Sequence, residues 1–245
     1  MGEGPTDVGH RDYKSGQFIE GPVPVIIRKI LGEHIEIDLL EKSSRKKSKG
    51  KHFQRSIRGL HGQGVYSWWA KMQAAEQLYD VVAFYSDSDR ESGHDSRSES
   101  ACRKRFDEVK SDIEAGFHQA DSLNVLDLSI VPVKMIESWL MADPEAFSVA
   151  FGNAPKCGKG VEKIFPKRPE LEWGDKHDVS SNYPKCQLNR ILSCYDKESN
   201  QETFVQLAGV IDFEKLRKRC PISFASFYED LSSLKTALQD KHALP

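Results

Sequence analysis

The feature that most constrains this chain is the apolar run Val81–Tyr85 (VVAFY), which passes without a break into the polar stretch SDSDRESGHDSRSES. A short run that is apolar at every residue and closed by a polar loop reads as a strand buried on both faces, the kind found in parallel sheets. A second run of this type, Leu126–Val133 (LDLSIVPV), follows it. Between the two, Phe106, Val109, Ile113 and Phe117 recur at helical spacing and predict an amphipathic helix over 103–117. Helical patterns are also read at 22–31, 66–78 and 135–151, and the alternating HIEIDLL at 34–40 predicts a further strand. Strands alternating with helices imply an α/β fold, a parallel sheet flanked by helices on both faces. Composition changes near Gly152: residues 153–185 are rich in Pro, Gly and Lys and read as irregular, and Phe224, Phe227, Leu231 and Leu234 then mark a late amphipathic helix. The expected organisation is an α/β core over 1–151, then an irregular linker and a helical C-terminal region over 152–245.

With 245 residues, 38% of them hydrophobic and 29% charged, the chain suits a soluble globular protein and is too apolar for a disordered one. No apolar run approaches a membrane span, and the N-terminus lacks the basic-then-apolar pattern of a secretory signal, so no membrane association is expected. The five cysteines (Cys102, Cys157, Cys186, Cys194, Cys220) are scattered, odd in number and never spaced as CxxC. That pattern argues against a disulfide framework and a structural zinc site, and for a reducing, cytoplasmic setting. The net charge of -2 averages a patchy distribution. Arg45, Lys46, Lys47, Lys49, Lys51, Arg55 and Arg58 lie in one stretch without an acid. Such a stretch offers salt-sensitive contact with a nucleic-acid backbone, or is simply a solvated loop.

Three groups of acids stand where chemistry would be expected. Asp87 and Asp89 follow VVAFY directly, so in extended backbone both carboxylates face one side just beyond a strand's C-terminal end. Glu3 and Asp7, in GEGPTDVG, are four residues apart and would share one face of a first helical turn. Glu137 opens the helical pattern after LSIVPV, near the same sheet edge, and Asp143 precedes Pro144, where a kink or a new helix start is the plainer reading. Carboxylates grouped in this way are costly to hold together unless a hard cation such as Mg²⁺ or Mn²⁺ neutralises them. The plain alternatives are a solvated turn at Asp87–Asp89 and a flexible terminus at Glu3–Asp7.

Taken together, GEGPTD, YSDSDR and VPVKMIESWLMAD resemble the TOPRIM domain shared by topoisomerases, DnaG-type primases, OLD-family nucleases and small maturation ribonucleases. EGPTD with IESWLMADPEAF is similar to a family of small OLD-nuclease-like TOPRIM proteins, often encoded beside AAA or ABC-type ATPases in bacterial anti-phage loci. NYPKCQLNRIL and IDFEKLRKRCPISFASFYEDL resemble the C-terminal half of that family, so the likeness covers nearly the whole chain. The resemblance implies a TOPRIM/Rossmann-like sheet and metal-dependent phosphodiester hydrolysis of DNA or RNA, with an ATPase partner. It implies that Glu3, Asp87 and Asp89 hold one or two Mg²⁺ or Mn²⁺ ions. Asp7 would be a further metal ligand, and Glu137 a catalytic acid serving as second-metal ligand or general base. In TOPRIM domains a central strand precedes the first acid, whereas here only Met1 and Gly2 do. The expectation is therefore a sheet without its first strand and an incompletely assembled site.

Two neighbouring features carry weaker expectations. Lys134 could offset charge on a transition state, although a snorkelling surface lysine is the simpler reading. Trp68 and Trp69 could stack on bases, although aromatics at helical spacing more often pack in a core. Two rivals stay open. A nucleotide-sugar transferase also places a DxD after a buried strand, and a non-catalytic TOPRIM subunit would dock on an ATPase or on nucleic acid.

Overall fold

The computed structural model describes residues 5–40, 57, 59–88, 98–152, 155–157 and 163–243. Glu3, Asp89 and all seven cations of the basic stretch, Arg45, Lys46, Lys47, Lys49, Lys51, Arg55 and Arg58, lie outside these described residues. Among them the chain is a mixed α/β fold built on one parallel strand pair. β3 (Val81–Tyr85) pairs with β4 (Leu126–Ile130), with Val81 opposite Leu126 and Tyr85 opposite Ile130. The ladder runs on past both strands, because Ser86 N–H donates to the Ile130 carbonyl at 3.0 Å and Ser88 N–H to Pro132 at 3.1 Å.

Alternation along β3 divides the core. Val82 and Phe84 point into a cluster with Phe106, Val109, Ile113 and Phe117 of α4 (Glu99–His118) and with Ala70 and Ala74 of α3 (Gly62–Glu76). Tyr85 points the other way, with Leu128 and Ile130, toward α2 (Pro22–Leu31), α5 (Ile136–Leu140) and α6 (Pro144–Phe151). The strand pair is thus covered on both faces, as a run apolar at every position requires. α3 and α4 approach closely through their glycines: a Cβ on Gly116 would overlap the Gly64 carbonyl and the Ser67 hydroxyl.

The remaining helices are α7 (Pro184–Ser193), α8 (Gln201–Val210), α9 (Phe213–Arg219) and α10 (Ser223–Ala243). Their apolar side chains join the Tyr85 side of the core, so Trp139 of α5 packs edge-on against Phe224 with ring centroids 5.1 Å apart. A buried polar seam locks this contact. Trp139 Nε1–H donates to Ser223 Oγ at 2.8 Å, and Ser223 N–H, Ser223 Oγ–H and Ile222 N–H donate to the carboxylate of Glu170. Glu170 belongs to a short 3₁₀ turn, Pro169–Leu171.

Several expectations need correction. HIEIDLL does not form a strand: Ile35, Ile37 and Leu40 pack inward, but the segment makes no ladder, and Asp38 is held instead by a two-oxygen bond to Arg11 and by the Tyr79 hydroxyl. The pattern over 135–151 is two helices, because Pro144 lacks the N–H that a continuous helix would use. The Asp143 side chain accepts from Glu145 N–H and starts the second one. Cys157 and Cys194, thirty-seven residues apart in sequence, are joined in a disulfide where free thiols were expected. The Lys156 N–H bond to the Cys194 carbonyl at 2.7 Å brings the two segments together. Among the described residues no helix is long and apolar enough to cross a membrane.

Candidate active site at the end of the parallel strands

The N-terminal segment reaches the C-terminal end of β3 through a short helix, α1 (Pro5–Val8), followed by a hairpin of β1 (Gly9–Arg11) and β2 (Phe18–Glu20). Gly21, the N-cap of α2, makes this approach possible, since a Cβ there would overlap the backbone carbonyl of Asp7. Asp7 is thereby fixed beside the strand end. On β3 the period of two puts Tyr85 and Asp87 on the same side of the extended chain.

These two approaches meet at one atom. The Tyr85 hydroxyl lies 2.6 Å from Asp87 Oδ1 and 3.1 Å from Asp7 Oδ2. The phenol is 1% exposed. Its pKa stands well above the ordinary phenol value. Burial is the main cause, followed by the negative charges of Asp87 and Asp7, the hydrogen bond to Asp87, and the charge of Glu137. Glu137 sits in the first turn of α5 and is itself buried, so the third acidic group named from sequence also acts on this phenol.

The loop carrying Asp87 is held from behind. Ser88 Oγ–H donates to the Pro132 carbonyl at 3.0 Å, and Ser88 Oγ accepts from Lys134 N–H at 3.2 Å. Lys134 adopts a left-handed backbone with φ 67°, a conformation unusual outside glycine. Its side chain is buried, contrary to the snorkelling reading. The ammonium donates to the Glu172 carbonyl at 2.6 Å and lies 5.1 Å from the centroid of the Trp173 ring.

Of the residues singled out from sequence, Asp7, Asp87 and Glu137 converge here. Asp143 does not: it caps α6 and accepts from Asp212 N–H at 3.0 Å and from Lys215 Nζ at 3.0 Å. Trp68 and Trp69 pack edge to face with centroids 4.9 Å apart, each half-buried on α3. Tyr85 and Ser88 were read only as strand and loop. The available signal for Tyr85 was its position two residues before Asp87, on the same face.

Asp7 and Asp87 present carboxylate oxygens to a common point, and all-oxygen donors suit a hard divalent cation such as Mg²⁺ or Mn²⁺. Among the described residues no group of three or more His, Cys, Asp or Glu side chains is arranged to hold a metal. Glu3 and Asp89, the other acids expected here, are not among those residues. No family model matches this chain, and no curated protein or solved structure matches it either.

Proposed function

We propose that the chain is a hydrolase of phosphodiester bonds in DNA or RNA, working with Mg²⁺ or Mn²⁺ held by Asp7 and Asp87 together with Glu3 and Asp89. The observation that carries this reading is the convergence of Asp7 and Asp87 on the Tyr85 hydroxyl, beyond the C-terminal end of a parallel strand. Ligands of open α/β sheets gather at that edge. A divalent cation bound there would lower the pKa of a bound water and offset charge on the leaving oxygen.

The chain's own residues have definable parts in this reading. Asp7 and Asp87 supply the oxygen ligands. Glu137, buried at the start of α5, serves as a further ligand or as the base that takes the proton of the attacking water. Tyr85 and the apolar wall behind it keep bulk water from the inner side of the carboxylates. The basic stretch Arg45–Arg58 would grip the phosphate backbone in a salt-dependent manner. Partnership with an AAA or ABC-type ATPase, and work in anti-phage defence, rest on the resemblance of EGPTD and IESWLMADPEAF alone.

The test is cleavage of end-labelled single- and double-stranded DNA and RNA with Mg²⁺, with Mn²⁺ and with chelator. The Asp87→Ala, Asp89→Ala double variant serves as the comparison. Metal-dependent cleavage that the double variant lacks supports the hydrolase. Cleavage that survives in it rejects this site. No cleavage in any condition, with or without a candidate ATPase, rejects the hydrolase reading.

A further inference from the structure

We infer that the Cys157–Cys194 disulfide is a thiol-exchange site for a small thiol of the glutathione type. The thiol attacks Cys157 and leaves a mixed disulfide there, Cys194 is released as a free thiol, and the rest of the fold stays in place.

The two half-cystines stand in different surroundings. Cys157 is exposed, whereas Cys194 is buried at the end of α7 among the larger core cluster. Its neighbour Tyr195 packs there against the rings of Phe147 and Phe151. Access helps to decide which sulfur of a disulfide an incoming thiolate takes, and here access favours Cys157. The electron pair of the attacking thiolate forms the new bond to Cys157 Sγ. The old S–S bond breaks, and its pair leaves on Cys194, which takes up the proton that the small thiol gave up. In the reverse step Cys194 attacks Cys157 and expels the small thiol. A second small thiol can instead attack the mixed disulfide at its non-protein sulfur, which frees Cys157 and yields the thiol's own disulfide. No other oxidant or reductant enters. The remaining cysteines stand apart from this chemistry, because Cys102 and Cys220 are buried and Cys186 is half-buried.

The loop closed by the disulfide is also fastened at other points. Gln187 Nε2–H donates to the Ile164 carbonyl at 3.0 Å, and Arg219 donates to the carbonyls of Pro166 and Lys167. Phe165 packs edge-on against Phe147, and Glu170 is bonded to Ile222 and Ser223. Residues 155–157 have weaker ties. Lys156 N–H donates to the Cys194 carbonyl, and Lys156 Nζ pairs with Asp196 where both side chains are largely exposed, a kind of pair that adds little. Opening the disulfide therefore detaches 155–157 from the end of α7 and leaves 164–173 seated. Both redox states are folded, as a reversible exchange site requires.

The experiment incubates the oxidised full chain in a buffer of reduced and oxidised glutathione under native conditions. Samples are quenched early in acid, free thiols are blocked with N-ethylmaleimide, and each cysteine is mapped by peptide mass spectrometry. The expected adduct is glutathione on Cys157, at least about tenfold more than on Cys194. Cys157→Ser, an exposed substitution, should leave Cys194 without adduct. Amide hydrogen exchange should rise at 155–157 on opening and stay unchanged over 164–173. An adduct on Cys194, or on neither cysteine, overturns the assignment. So does a disulfide that opens only in urea, which would make it an inert staple, or an oxidised chain in which both cysteines are found as free thiols. Exchange rising equally over 164–173 overturns the separate fastening of that segment.

Discussion

Tyr85 and Asp87, two residues apart at the end of β3, share a hydrogen bond of 2.6 Å on the same side of the chain, and the Asp7 carboxylate closes on the same phenol from the N-terminal segment. With Glu137 also acting on the phenol, the strand end concentrates negative charge in a buried place. Like charges gathered close together in a buried place repel one another. Asp87→Ala is expected to leave the ion-free melting temperature unchanged or raise it by a few degrees, because Asp7 remains as an acceptor for the phenol while like-charge repulsion falls. A scanning calorimetry comparison in chelator checks this, and a fall of several degrees would assign Asp87 to structure.

Ser88 ties the Asp87 loop to the turn at Lys134 by two bonds, one to the Pro132 carbonyl and one from Lys134 N–H. Ser88→Ala removes the acceptor of Lys134 N–H, while the Pro132 carbonyl keeps its bond from Ser88 N–H. A loss of roughly 1–3 kcal/mol is expected from urea unfolding. Ser88→Thr should recover part of it.

Glu170 accepts three hydrogen bonds at the start of α10, yet its carboxyl titrates above the usual carboxylate range, because burial outweighs those bonds. Between the unfolded and folded pKa values the native state holds a proton that the unfolded chain has released. This contribution is therefore complete below the ordinary glutamate pKa and falls as pH rises through the folded value. Glu170→Gln should flatten that part of the stability profile. It should also lower stability near neutral pH, where the amide can accept with only one oxygen. Urea midpoints collected from pH 4 upward, with and without the substitution, measure both effects.

Lys71 is buried on α3, 2.6 Å from Asp127 and 3.1 Å from Asp121, both of which remain partly exposed. Lys71→Met should cost less than about 1 kcal/mol, since both acids can rehydrate. Asp127→Ala should cost about 1–3 kcal/mol, because it leaves the buried ammonium only the more distant Asp121 carboxylate and the Phe117 carbonyl. Equal effects of the two substitutions would contradict this assignment.

The Cys157–Cys194 disulfide closes a loop of thirty-seven residues, for which chain entropy gives roughly 4 kcal/mol of stabilisation. Reductant is expected to lower the melting temperature of wild type and to leave Cys157→Ser unchanged.

Residue patterns made β3, β4, α2 and α4 legible, because each carries its own periodicity and buries its apolar positions without needing a distant partner to define them. Segment 34–40 has the alternation of a strand and fails to be one, since a ladder needs a neighbouring edge and Asp38 is drawn to Arg11 and Tyr79 instead. The disulfide was hidden for the same reason: residues so far apart in sequence meet only through tertiary packing. Asp87 and Glu137 were legible from their places after apolar runs, and Asp7 from its spacing to Glu3. The contacts of Tyr85 were not, because a tyrosine ending a buried strand looks like core until carboxylates are found against its hydroxyl.

The most direct test of the acidic site is the single-turnover rate of Mn²⁺-dependent cleavage, on whichever nucleic acid is cut, for Asp87→Ala against Asp107→Ala, an exposed acid on α4. The expected result is a loss beyond about a hundredfold in Asp87→Ala, more than substitutions that merely support a metal ligand typically cause, with Asp107→Ala at the wild-type rate. Equal rates in the two variants would contradict the assignment of Asp87 to the chemistry.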